Sequence, residues 1–231
     1  MLTGTGITMP ITTMTSETSL LSLMRLVSPA LPVGGFAYSQ GLEYAIDTGW
    51  VKTADEVKAW LQGVLQNGLA RLDVPLLLRL YRSADDPKQF SQWNEYALAS
   101  RETLELRLEE LQMGKALWRL LASMDEALPD IDPPGWLAAF AFAAQRWGVN
   151  EQHACQGYAW SWLENQLAVA AKTVPIGQTD VQRISGQLMG AVMDAVEVGS
   201  QLRDDQIAGG LPGVAMASML HETQYSRLFR S

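Results

Sequence analysis

Three side chains in this sequence offer the imidazole or thiolate donors that transition metals favour: His153, Cys155 and His221. They do not converge on paper. His153 and Cys155 stand two residues apart, so on one helix they point to nearly opposite sides and cannot close on one ion. The spacing favours a buried Cys155 beside a partly exposed His153 in a first helical turn. A di-iron bundle needs a glutamate three residues before each histidine, but position 150 is Asn and position 218 is Ser. Zinc-peptidase chemistry fails as well, because His221 and Glu222 run on as Thr, Gln and Tyr with no second histidine. Gly114 and Lys115 are followed by Ala inside a helical pattern, so they open no phosphate-binding loop. Triad-type catalysis is not excluded by spacing alone, yet two histidines and no nucleophile elbow give it little to build on. The adjacent pairs Glu109–Glu110 and Asp204–Asp205 are expected to face solvent. The sequence thus predicts no catalytic residue, no metal ligand and no cofactor, and any nucleotide belongs to another protein.

What remains is recognition. Ser28 to Glu43 reads SPALPVGGFAYSQGLE, with two prolines, two adjacent glycines and two aromatics between helical patterns. Pro29 and Pro32 fix φ and remove donors, while Gly34 and Gly35 permit conformations closed to other residues. Phe36 and Tyr38 are thereby presented near the turn. Ser39 is expected to cap the next helix, with Glu43 near its positive end; Leu42 at N3 rules out a full capping box. The segment reads either as a shaped helix connector or as a recognition loop. Lys172, before Val174 and Pro175, either complements a helix dipole or belongs to a contact surface. Tyr225, Leu228 and Phe229 form an apolar stripe if the terminus is helical, beside Arg227 and Arg230. Aromatic and arginine anchors are what protein interfaces favour.

The elements that position these residues are helical throughout. Leu20, Leu21, Met24 and Val27 give a first stripe, ended by Ser28–Pro29. Thr53 and Glu56 form a capping box for a helix with Val57, Trp60, Leu61, Val64, Leu65 and Leu69 on its apolar face. Val74–Ala84 and Phe90–Ala99 follow. Glu102–Met124 reads as a helix with Leu104, Leu108, Leu111 and Trp118 on one face, widened by Leu106, Met113, Leu117 and Leu120. Its all-round apolar character places it at the centre of a bundle. After the prolines at 129, 133 and 134, helices are predicted over 136–147, 151–173 and 180–199, with Asn150 and Thr179 as N-caps. No strand pair and no fixed-period repeat is evident. The expected architecture is an all-α, single-domain bundle of roughly eight to ten helices.

Composition agrees. The chain has 231 residues, 48% hydrophobic, which supports a sizeable core. A formal net charge of −8, from 17 Lys and Arg against 25 Asp and Glu, argues against a nucleic-acid partner. One cysteine excludes an internal disulfide and suggests a reduced compartment. The longest apolar run, Trp136–Ala144, is far short of the roughly 20 residues of a membrane span. Residues 1–19 fit no secretory pattern, so a cytoplasmic location is expected.

The loop at 28–43, the segment RETLELRLEELQMG at 101–114, KTVPIGQ at 172–178 and HETQYSRLFRS at 221–231 together resemble the UreF family of urease accessory proteins. The blocks occur in the family's order and span nearly the whole chain. The resemblance implies a non-catalytic adaptor that joins the scaffold UreD, also called UreH, to the GTPase UreG. That assembly docks on apo-urease and couples GTP hydrolysis to nickel insertion; a homodimer within it is also implied. Residues expected to meet partners are Pro32, Gly34, Gly35, Phe36, Tyr38, Ser39, Glu43, Lys172, Gln178, His221, Glu222, Gln224, Tyr225, Arg227 and Phe229. The division expected is a flexible tail over 1–15, a helical domain over 16–220 and a partner-binding tail over 221–231 that orders on its partner. Alternatives are a GTPase activator supplying an arginine from Arg227, Arg101 or Arg230, and an all-helical small-molecule enzyme with the loop as lid.

Overall fold

A computed structural model describes residues 16–231, all helix, turn and loop with no strand among them. The expected tail over 1–15 lies outside the described residues. The α-helices are α1 (Ser16–Leu26), α2 (Leu42–Asp47), α3 (Ala54–Val64), α4 (Val74–Arg82), α5 (Pro87–Ala99), α6 (Leu104–Ala122), α7 (Trp136–Arg146), α8 (Glu151–Thr173), α9 (Gln178–Gln201) and α10 (Pro212–His221). The wide turns of a π-helix over Leu65–Asp73 join α3 to α4 without a break. Thr53 and Glu56 form the expected capping box, Asn150 caps α8 through its bond from His153 N, and Asp86 caps α5. Gly177 rather than Thr179 stands at the N-cap of α9.

The centre of the bundle is α7, not α6. Every residue from Leu137 to Ala144 is fully buried, and α4, α5, α6 and α8 pack around them. The inference that an all-round apolar helix is buried holds, but it applies to WLAAFAFAA, which carries no charge, rather than to a helix with glutamates at 105, 109 and 110. Phe140 and Phe142 stack edge-on with Tyr158 and Phe90.

The face of α6 that is buried differs from the one its leucines suggest. Leu104 is 59% exposed and Leu108 41%, whereas Glu105, Glu109 and Glu110 are buried with Met113, Leu117 and Leu121. Glu109 and Glu110 therefore do not face solvent. Glu110 has a structural reason to be inside. Gly135, at the N-cap of α7, has no side chain to satisfy the first turn, so Asn94 Oδ1 accepts from Gly135 N at 2.8 Å and Glu110 Oε1 from Leu137 N at 2.7 Å. In α1 the stripe is likewise turned: Leu20, Leu21 and Met24 are exposed and Leu26 is buried.

Candidate partner-binding surface

The loop leaves α1 and turns at Gly34, whose φ of 76° lies in the left-handed region. Ala37 N closes the turn on Gly34 O at 3.0 Å. Phe36 is thrown outward, 69% exposed, while Tyr38 is buried and donates its hydroxyl to Gln112 Oε1 at 2.8 Å. Ser39 does not cap α2. Gly41, with φ 81°, stands at that N-cap, and a Cβ there would lie 2.7 Å from Ser218 N, so the position is fixed both by φ and by the close approach of α10. Ser39 instead uses its backbone N–H, at 2.6 Å, and its hydroxyl to bond Ser231 O.

That bond is one of several by which residues 221–231 lie folded on the body of the protein. Glu43 is the clamp. Its Oε1 accepts from Leu228 N at 2.7 Å, and its Oε2 from Phe229 N at 3.1 Å. His221, with no exposed side-chain surface, sits between two carboxylates: Nε2 is 2.9 Å from Glu43 Oε2 and Nδ1 is 2.8 Å from Glu105 Oε2. Arg227 Nη1 reaches Glu105 Oε1 at 2.5 Å, Arg230 N bonds Ala37 O at 2.8 Å, and Ser231 Oγ lies 3.2 Å from Glu109 Oε2. Beyond His221 the segment is not helical, so the expected stripe does not form: Phe229 is buried under Lys172, whose Nζ is 5.4 Å from its ring centre, whereas Leu228 is 71% exposed and Tyr225 wholly exposed.

Behind the loop a cavity of about 440 Å³ is bounded by the loop, the π-helix, α6 and α8. Arg101 Nη2 stands in its wall, 2.8 Å from Asp73 Oδ1 and 2.9 Å from Glu110 Oε2, close in distance but off the hydrogen-bonding direction. Burial works against that guanidinium, and the two carboxylates outweigh it, holding Arg101 firmly charged. Burial pushes the Glu109 carboxyl up to about 7, against the bond from Gln40 Nε2, with the Glu110 charge adding to the rise. Cys155 is buried and its thiol pushed up to about 12, and no group of three or more His, Cys, Asp or Glu among the described residues is placed to hold a metal ion.

The fold and this clamp can be set beside known proteins. The UreF family model matches residues 51–189. The chain belongs to the UreF family. Relatives named urease accessory protein UreF are 47% identical over 94% of the chain and 96% of the relative in Marinomonas sp. strain MWYL1, and 48% over 92% and 95% in Chromohalobacter salexigens. The Alcanivorax borkumensis relative is 43% identical over 94% of the chain and its own entire length. In this UreF-family chain the expected partner residues divide into a surface and its supports. Pro32, Phe36, Lys172, Gln178, Glu222, Tyr225 and Arg227 are exposed; Tyr38, Ser39, Glu43, His221 and Phe229 are buried. Gly34, Gly35 and Gln224 lie between, and Gln224 Nε2 bonds Ser226 O. Gln178 opens α9 and makes no hydrogen bond to the loop or the terminal segment among the described residues.

Sequence reasoning passed over Glu105, Glu109 and Gln112, the α6 side chains that receive the loop and the terminal segment. Their spacing of four and then three is a polar stripe on one helix face, a signal of the same kind as an apolar one. Gln40, held at φ 53°, joins them by donating from Nε2 to Glu109 Oε1 at 2.8 Å, and is itself held by Trp162, whose Nε1 donates to Gln40 Oε1 at 2.8 Å.

Proposed function

We propose that this chain acts in urease maturation as a non-catalytic component that bridges the UreD/UreH scaffold and the GTPase UreG, in the cytoplasm, as a homodimer within a complex on apo-urease. Nickel is the cargo of that complex, and this chain supplies recognition surface for GTP-dependent insertion. The observation that carries the reading is the joining of the loop and the terminal segment through Glu43, which sets exposed Phe36, Leu228 and Tyr225 on a preformed scaffold. Exposed aromatic anchors over buried polar supports are features of interfaces rather than of active sites. Co-purification from cells expressing the complete urease operon tests it: Phe36→Ala with Tyr225→Ala is expected to lose scaffold and GTPase together.

A second reading, in which the chain activates the partner GTPase, is narrowed by the arginines. Arg101 is enclosed by Asp73 and Glu110, and Arg227 is engaged by Glu105, whereas Arg230 is exposed and its side chain contacts Gln112. An arginine supplied in trans must be free to leave its own protein. Loss of stimulated GTP hydrolysis in Arg230→Ala, with the complex still assembled, would support that reading.

A further inference from the structure

Lys115 and Arg119 are four residues apart in α6, on one side of the helix. Both are exposed, and neither makes an ion pair among the described residues. They line a cleft of about 740 Å³ whose opposite walls are the loop around Phe36 and the stretch from Ile131 to Pro134. Gln112, one turn earlier on α6, fixes its base. Its Oε1 accepts from Tyr38 at 2.8 Å and from Arg230 Nη1 at 3.3 Å, which sets a third cation on the same wall. Asp132 is the one carboxylate among the lining residues. Three cations against one acid is a local reversal on a chain whose net charge is −8.

We infer that this cleft docks an acidic segment of a partner protein. Carboxylates of the segment face Lys115, Arg119 and Arg230, and an apolar side chain lies against Phe36, 69% exposed at the rim. The inference names the chemistry of the partner at the surface proposed above and rests on that reading. Charge complementarity is the reason to choose an acidic protein segment: three cations against one carboxylate line this cleft, which favours and steers an acidic partner. The two α6 cations also extend the recognition surface beyond the loop and the terminal segment.

The test uses the complex reconstituted with its partners. In Lys115→Glu/Arg119→Glu, which removes no buried contact, circular dichroism and the thermal midpoint are expected to stay at parent values while partner affinity falls about tenfold or more. Parent affinity is expected to fall as salt is raised. A photo-crosslinking residue at position 119 is expected to capture a partner peptide rich in Asp and Glu, and changing those acids to Lys should restore binding to the double variant. Parent-like affinity in the double variant overturns the inference, and if Phe36→Ala still weakens binding the function reading stands without it. If neither variant weakens binding, the function reading fails too. Capture of a peptide without acidic residues, or competition by a fluorescent GTP analogue for position 119, also overturns it.

Discussion

His221 Nε2 lies 2.9 Å from Glu43 Oε2, and that contact ties the end of α10 to the first turn of α2, 178 residues away in sequence. The same carboxylate holds the backbone of Leu228 and Phe229, so a single side chain couples the loop, α10 and the terminal segment. His221→Ala is expected to leave Glu43 and Glu105 buried without the ring that lies between them, at a cost of about 3 kcal/mol. Hydrogen exchange should show residues 222–231 opening well before the core; protection equal to the parent would refute the clamp.

Removal of residues 222–231 is expected to lower the thermal midpoint. It strips two backbone donors from Glu43 and uncovers the surface beneath Phe229, a burial worth roughly 2 kcal/mol by itself. A tail that ordered only on its partner would leave the midpoint unchanged, and calorimetry of the truncated protein decides between the two. Arg227→Ala should give a smaller loss, about 1 kcal/mol, with Arg227→Lys between it and the parent.

Gly34→Val/Gly35→Val is expected to damage partner recruitment more than helix content. Gly34 needs φ 76°, which a β-branched residue resists, and a Cβ at Gly35 would press on Met113 Cε at 3.2 Å. Far-ultraviolet circular dichroism and co-purification on the same variant give the comparison. Undiminished recruitment would mean that the loop is a connector.

Glu109 should make stability depend on pH. Its carboxyl rises from 4.5 to about 7 in the folded chain, chiefly through burial. Below the lower value both states hold the proton and the stabilisation is complete. Between the two values the unfolded chain has released the proton and the folded chain keeps it, so stability falls as pH rises to about 7, by on the order of 3 kcal/mol. Denaturant titrations on either side of that window measure the fall. Glu109→Gln should flatten it, and an equally steep fall in that variant would assign it to other groups.

Gly114→Ala probes the contact that seats α6 on α7. A Cβ at 114 would lie 2.4 Å from Pro134 O and from Gly135 C, backbone that must move to admit it. A loss of about 2 kcal/mol or more is expected, despite the better helix propensity of alanine. Chemical denaturation would expose the error if the variant were as stable as the parent.

Much of this was written locally. The all-α class, the capping box at Thr53, the cap at Asn150 and the burial of Cys155 beside exposed His153 follow from residues within a turn or two of one another. Short-range hydrogen bonds and helical periodicity leave few alternatives at such distances. The special backbone of the loop was legible too, because glycine at φ 76° has a conformational cause.

Tertiary structure decided which polar groups are inside. Leu104 and Leu108 looked like a core face, and Glu109 and Glu110 like solvent, but most of the partners that bury Glu105, Glu109 and Glu110 come from distant segments: Arg227, His221, Gln40 and the N-terminus of α7. A buried carboxylate is tolerable only where donors converge on it, and that convergence is a property of the assembled fold. The terminal segment follows the same logic. By itself the sequence determined a chain of helices with a shaped loop and an aromatic, arginine-bearing end; only the packing of α2, α6 and α10 made Glu43 the place where they meet, because its energy depends on partners that residues 221–229 bring from the far end of the sequence.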